Sequence, residues 1–463
     1  MIELTRRHFF SRGATGIGVA ALGSLLEADE GGLPGLPHFA AKAKRLIYLF
    51  QHGAPSQLDL FDHKPALASQ RGKELPDSIR KGQRLTGMTA YQASFPSAPS
   101  IFKFKQHGAG GVWLSELLPH TARMADRLCV VRSMHTEGVA HGPATLFLHC
   151  GSTNFIRPSM GSWVLYGLGS ENQNLPGFVA MCPGGYPIVA TQNWRAAFLP
   201  GAYQGTYIDS QHSDVQKLIE NIRNNGMTAA EQRKQLDLVK KLNEMHRETR
   251  PADPQLDARI ETFELAYRMQ SEAAEAFDVT REPLKVRERY GPGTHARQLL
   301  ITRRLIERGV RFVQVWSGAG QPWDNHDGLE AAHRNLAKDW DRPIAAFLDD
   351  LKGRGLFDET LVMWGGEFGR TPVAELPALS GRDHNHYGFS MWLAGGGVKG
   401  GQVIGATDEF GFAAVEDKVH VHDLHATILH LLGFDHEKLT YRMAGRDFRL
   451  TDVHGRVVKQ VVG

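Results

Sequence analysis

The chain has little cysteine. Cys129, Cys150 and Cys182 are the only three in 463 residues, and none forms a C-x-x-C pair. An odd, scattered count argues against a disulfide framework and for buried free thiols. Charge imbalance is also small, at a formal +3. No basic run or aromatic-basic interleaving is present, so nucleic acid is not an expected partner. There is no internal repeat and no low-complexity tract. No apolar run approaches the roughly 20 residues of a membrane span, so none is expected in the mature chain. What is plentiful is histidine, at 22 residues, and glycine, at 50. That pairing suits a metal site built on loops. Apolar content of 42% and charged content of 22% are ordinary for a globular protein. The length suits one large α/β domain with insertions, or two domains.

The N-terminus reads as a targeting segment. Thr5-Arg6-Arg7-His8-Phe9-Phe10 precedes Ser11-Arg12 and an uncharged run from Gly13 to Leu26. Paired arginines before a weakly apolar run resemble a twin-arginine export signal. The twin-arginine export machinery is therefore an expected partner, and the periplasm or cell surface the expected location. Residues 1–43 are taken as signal and linker, with Ala41-Lys42-Ala43 as one small-x-small cleavage candidate, and 44–463 as the folded domain.

The stretch from Leu361 to Gly401 organises the rest. An apolar run, Leu361 to Trp364, reads as a buried strand and stops at Gly365-Gly366. Glu367 follows at once, and a polar loop then carries Asp383, His384 and His386 before a second apolar run, Phe389 to Ala394. In an open α/β sheet, ligands bind beyond the carboxyl ends of strands. Clustered acids and imidazoles there are candidate metal ligands and acid/base groups.

Other segments repeat the pattern. Arg45 to Phe50 reads as the first central strand, followed by His52, Ser56 and Asp59. Leu128 to Arg132 reads as a strand, followed by His135 and then His141 at the start of a helix ending at Gly151. Val310 to Trp316 reads as a strand, followed by Asp324 and His326. Leu114 to Arg127 reads as helical. Residues 183–210 read as loop, with Trp194, Tyr203 and Tyr207 as candidate substrate-lining aromatics. The charged, glycine-poor segment at about 213–286 reads as a helical insertion, with Leu238, Val239, Leu242 and Met245 spaced for a buried stripe. His420, His422 and His425 read as surface or capping groups. Strands alternating with helices predict an α/β fold, a mainly parallel sheet flanked by helices.

The ordered motifs HGAPSQLDLFD, WDNHD, MWGGEFGRTP and GRDHNHYGFSMWLAGGGVKGG resemble a large set of twin-arginine-exported bacterial proteins. That set is catalogued as domain of unknown function 1501 and often labelled sulfatase-like. The resemblance implies the alkaline phosphatase-like fold, in which Asp and His at strand ends hold one or two metals. It also implies a nucleophile at a helix N-terminus. His141 falls at the sulfatase nucleophile position and Thr145 at its arginine position. Glu367 stands where the family has an acid before a lost histidine, Gln51-His52 replace an acid pair, and His386 matches a late histidine. Formylglycine sulfatase chemistry is therefore not implied.

The expected site comprises Asp324, His326, Glu367, Asp383, His384 and His386 as ligands of a divalent metal ion: zinc, manganese or calcium. His141, Glu367, Arg370 and His384 are the catalytic candidates. Glu367 or His384 would serve as base, Arg370 would neutralise developing charge, and His141 would act as nucleophile. His141, His52 and Ser56 are the anion-binding candidates. The expected function is a metal-dependent hydrolase of sulfate or phosphate esters on an anionic substrate such as an extracellular glycan. The alternative is a non-catalytic protein of the same fold that binds an anionic polymer or a partner at the cell envelope.

Overall fold

A computed structural model describes residues 33–80, 88–219, 226–249, 254–376 and 379–463. The arginine pair and the apolar run of the expected signal lie outside the described residues.

Arg45–Phe50 forms β1, and its alternation decides the layers. Ile47 and Leu49 point to one face of the sheet and Leu46, Tyr48 and Phe50 to the other, all fully buried. A strand buried on both faces reads as a continuous apolar run, which is why RLIYLF shows no polar alternation. Burying each large apolar side chain contributes roughly 1.5–3 kcal/mol. The remaining strands, in chain order, are β2 (Phe104–His107), β3 (Val112–Ser115), β4 (Leu128–His135), β5 (Phe178–Met181), β6 (Thr206–Ile208) and β7 (Phe312–Trp316). They are followed by β8 (Thr360–Gly365), β9 (Gly369–Ala374), β10 (Arg382–Asn385), β11 (Phe389–Ala394) and β12 (Gln402–Ile404). The main sheet has nine strands in the order β12-β4-β11-β8-β1-β7-β5-β6, with the short strand Val419–His420 beside β4. All its pairings are parallel except those of β11, which runs antiparallel to β4 and β8. The expected mainly parallel sheet is what the chain forms.

The larger helices are α1 (His141–Cys150), α2 (Met160–Leu168), α3 (Ala229–Thr249), α4 (Pro254–Phe277), α5 (Thr294–Ile306), α6 (Leu329–Gly353) and α7 (Val421–Leu431). The apolar side chains of α1, α2 and α7 pack with Leu46, Tyr48 and Phe50, whereas those of α5 and α6 pack with Ile47 and Leu49. Helices thus cover both faces. Among the described residues, no helix is long and apolar enough to cross a membrane.

Several local expectations are corrected. Leu114 to Arg127 is not a helix. Val112–Ser115 closes a hairpin on β2, and a 3-10 turn spans Thr121–Arg127. Pro119 between them cannot continue a helical hydrogen-bond ladder. The polar loop after Glu367 is itself a hairpin, β9 paired with β10. The α3 stripe faces water, with Leu238, Leu242 and Met245 at 58%, 55% and 64% exposure. The face of α3 toward α4 is instead polar, with Arg233 bonded to Glu264 and lying over Tyr267, and Gln270 bonded to Gln232. His422 and His425 are buried rather than on the surface, while His420 caps α7 and accepts from the His422 N–H.

Candidate metal and active site

β8, β1 and β7 lie side by side, and their carboxyl ends are level: Phe50 sits opposite both Gly365 and Trp316. The chain leaving these strands therefore brings His52, Glu367 and Asp324 to one edge. Because β11 runs the other way, the residues that precede it reach the same edge, including His384 in β10. Past β4, α1 opens with His141 at its first position. Gly53 is required at the crossing. It adopts φ +102, and a Cβ there would lie 2.6 Å from Asp324 N.

Asp324 Oδ1 is the hub. His326 Nε2 lies 2.9 Å away, His141 Nε2 3.2 Å and His384 Nε2 3.3 Å. Arg370 Nη2 donates to the same oxygen at 2.6 Å. The far nitrogen of each ring is tied. His141 Nδ1 donates to Glu367 Oε1 at 2.5 Å, His326 Nδ1 to Glu375 Oε2 at 2.6 Å, and His384 Nδ1 to Val139 O at 3.2 Å. Assigned from these partners, each Nδ1 carries its proton, which turns each Nε2 toward Asp324. His141 Nε2 is buried and, although close to Asp324, makes no hydrogen bond of good geometry. Three imidazole edges around one carboxylate oxygen need either protons or a cation between them. Imidazoles anchored through Nδ1 to a carboxylate or carbonyl are the usual setting of metal-ligating histidines. His141, Asp324 and His384 each offer a ligand atom, and the three atoms lie within 4.8 Å of one another. The residues present therefore fit a divalent metal.

The electrostatics agree. Burial opposes ionisation of Asp324, but the close imidazoles of His141, His326 and His384, with the Arg370 charge, hold it far below the usual carboxylate range. Burial alone would lower His141, but the Asp324 and Glu367 carboxylates outweigh it and push its pKa up to about 9. His326 is raised by Asp324, with burial opposing and Glu375 adding. His384 is lowered, chiefly by burial. Burial would raise Glu367, yet His141 and the charge of His52 bring it below the normal value.

The structure joins Asp324, His326, His384 and His141, and attaches Glu367 to them through His141. It does not bring in Asp383 or His386. Thr89 Oγ1 donates to Asp383 Oδ2 at 2.5 Å, and the His384 N–H donates to Asp383 Oδ1 at 2.6 Å. His386 Nδ1 donates to Thr136 O at 2.9 Å, and its ring lies against Tyr387. Glu367 accepts from Gly53 N at 3.0 Å as well as from His141, which makes it a support for the histidine. Arg370 is 1% exposed and donates to Ala54 O, Gly53 O, Arg382 O and Asp324, so it braces the hub. Ser56 Oγ donates to Asp59, which pairs with Arg382. His52 donates from Nδ1 to Gly320 O at 2.7 Å, and its Nε2 is buried without a partner. The sequence reading missed Glu375 and placed His141 with the anion rather than with the ligands. Nothing local marks Glu375, which reaches the site only because β9 folds back on β10.

These features describe a mainly parallel α/β protein with a His/Asp metal-candidate cluster beyond the carboxyl ends of its central strands. The chain belongs to the DUF1501 family, described as proteins of unknown function, whose sequence profile matches residues 43–462. A search of curated proteins by sequence finds no match. Among solved structures, the lipoteichoic acid synthase LtaP from Listeria monocytogenes is similar at 11% identity, with 90% of this chain and 77% of that one covered and a TM-score of 0.39. The PsFucS1 sulfatase from Pseudoalteromonas sp. is similar at 12% identity, with 89% and 70% covered and a TM-score of 0.35. Alkaline phosphatase from the Antarctic bacterium TAB5 is similar at 10% identity, with 78% and 95% covered and a TM-score of 0.30. At these TM-scores, the residues of the site carry the functional reading.

Proposed function

We propose that this protein is a metal-dependent hydrolase of sulfate or phosphate esters, exported by the twin-arginine route to the periplasm or cell surface. The observation that supports the reading best is the set of imidazole Nε2 atoms converging on Asp324 Oδ1, each ring anchored through Nδ1. His141, Asp324 and His384 are the residues that would hold the metal. A donor set richer in imidazole than in oxygen favours zinc over calcium. Bound there, such an ion would supply Lewis acidity.

The chain's own residues do the rest. Glu367 and Val139 O orient the His141 and His384 rings, and Arg370 fixes the Asp324 carboxylate. His326, more exposed than His141 or His384 and with its pKa raised by Asp324 and Glu375, is the group suited to protonate a leaving oxygen. Water attacks sulfur or phosphorus, the ester bond breaks, and the departing alkoxide takes the proton of His326. The proton shed by the attacking water then restores it. A thiol nucleophile does not fit: Cys129, Cys150 and Cys182 are buried, and burial pushes Cys129 and Cys150 up to about 12.

The test is a screen of the zinc-loaded protein against aryl and alkyl sulfates and phosphates. With His326→Gln, turnover of alkyl esters should fall about 100-fold or more, and that of nitrophenyl esters much less, because a good leaving group needs no proton. Tight metal binding with no turnover of any ester would favour the non-catalytic binding reading instead.

A further inference from the structure

Three aromatic rings meet where the loop after β5 returns to the sheet: Tyr186 and Trp194 from the loop and Tyr207 from β6. Tyr186 stacks on Tyr207 of β6, with ring centres 4.5 Å apart and planes at 29°. Tyr207 and Trp194 stack at 5.6 Å and 10°, and Tyr186 also lies 6.2 Å from Trp194 at 24°, so the three ring centres form a triangle. Trp194 is 1% exposed and meets the edge of Trp316, at the end of β7, at 6.2 Å. Trp194 therefore belongs to the core, while Tyr186 is 54% exposed. A tyrosine used for packing hides its ring. This one packs against both Tyr207 and Trp194 and still leaves about half its surface to water. Rigid, backed aromatics present a large amphipathic contact at low entropic cost.

The stack adjoins the cluster. Ile188 and Val189, just beyond Tyr186, come within 3.6 and 3.7 Å of a Cβ placed on Gly142, the neighbour of His141. Ala319 N donates to Pro183 O at 3.1 Å, tying the loop to the segment whose Gly320 carbonyl holds His52. Val189, a β-branched residue, sits at φ 56, and Ala190 at φ 45. Valine in the left-handed region is strained, and such strain gathers at functional sites.

We propose that Tyr186, backed by Tyr207 and Trp194, is a stacking platform for a sugar ring, so that the esters taken by the site are carried on glycans. This rests on the hydrolase reading above and names its substrate class. The C–H face of a pyranose carries slight positive charge and lies well on the negative face of an aromatic ring. A nucleobase would also stack, but single strands need a positively charged groove. Beside this stack stands Asp209, which accepts the Gly184 N–H.

The experiment uses the full zinc-loaded chain with Tyr186→Ala and Tyr186→Phe. Two readouts are taken: calorimetric binding of cellohexaose, xylohexaose and chondroitin-sulfate hexamer, and hydrolysis of a sugar 6-sulfate or 6-phosphate beside the nitrophenyl ester. At least one hexaose should bind wild type and Tyr186→Phe. Tyr186→Ala should bind it about tenfold more weakly and lose a similar factor in kcat/KM on the sugar ester, with the nitrophenyl ester within twofold of wild type. Binding that depends on Tyr186, without hydrolysis of any ester, would sustain the platform and sink the hydrolase reading. Hydrolysis with Tyr186→Ala matching wild type in both readouts would overturn the platform. So would absence of hexaose binding, or Tyr186-dependent binding of oligo-dT in place of sugars.

Discussion

Asp324 and its neighbours form one bonded cluster, so removing a support should be felt at the proposed metal site. Glu367 is not one of the three candidate ligands, yet it fixes the ring of His141. Glu367→Gln is expected to weaken zinc binding by about 10- to 100-fold, read by competition with a chromophoric chelator; an unchanged affinity would show that the contact is incidental. Arg370 is a different case, because its buried guanidinium balances Asp324. Arg370→Met should lower stability by about 3 kcal/mol or more, measured by urea unfolding, since it strands a carboxylate among half-buried groups. At this scale part was legible: polar groups in the segment after an apolar strand pointed to Asp324 and His326, and the polar segment before a second apolar run pointed to His384. Asp383 and His386 fall outside the cluster for a local reason. Asp383, His384 and His386 are near neighbours in sequence, but a register shift between Arg382 and His384 turns their side chains to different partners. Sequence proximity does not say which way a side chain points.

Among the elements, the β9–β10 hairpin most directly shapes the site, and it was the hardest to see. Its residues are nearly all buried but many are polar, so neither strand alternation nor an apolar run marks it. Its position against the Asp324 loop depends on Gly381, where a Cβ would stand 1.9 Å from His326 O. Gly381→Ala must push β10 away from that loop. Zinc affinity should drop while the far-ultraviolet circular dichroism stays native. Gly353→Ala at the end of α6, where nothing lies within 4 Å of the added carbon, is the control that should change neither. Equal affinities for the two variants would mean that the hairpin does not position His384. The central strands were easier, because β1, β5, β7, β8 and β11 are short apolar runs broken by glycine or by polar residues.

Across the whole molecule, several histidines are buried in neutral form. Burial, with like charges nearby, lowers His149 to about 3, His333 and His425 to about 4, and His422 to about 2. In the unfolded chain each titrates near 6.5. Below that pH the unfolded state takes up protons that the folded state refuses. Folding stability should therefore fall as pH drops from about 6.5 toward 4, by about 1.4 kcal/mol per pH unit for each such histidine. The urea midpoint should be lower at pH 5 than at pH 7, and His149→Gln should flatten the slope; a flat profile would contradict the buried-neutral assignment. The central claim, that His141, Asp324 and His384 form one metal site, has its own direct test. Metal content would be measured by elemental analysis on wild type and on His141→Ala, Asp324→Ala, His384→Ala, Asp383→Asn and His386→Ala, each reloaded with zinc. The structure predicts about one tightly held zinc per chain, lost in the first three variants and kept in the last two. Zinc kept by His141→Ala, or lost only with His386→Ala, would contradict it.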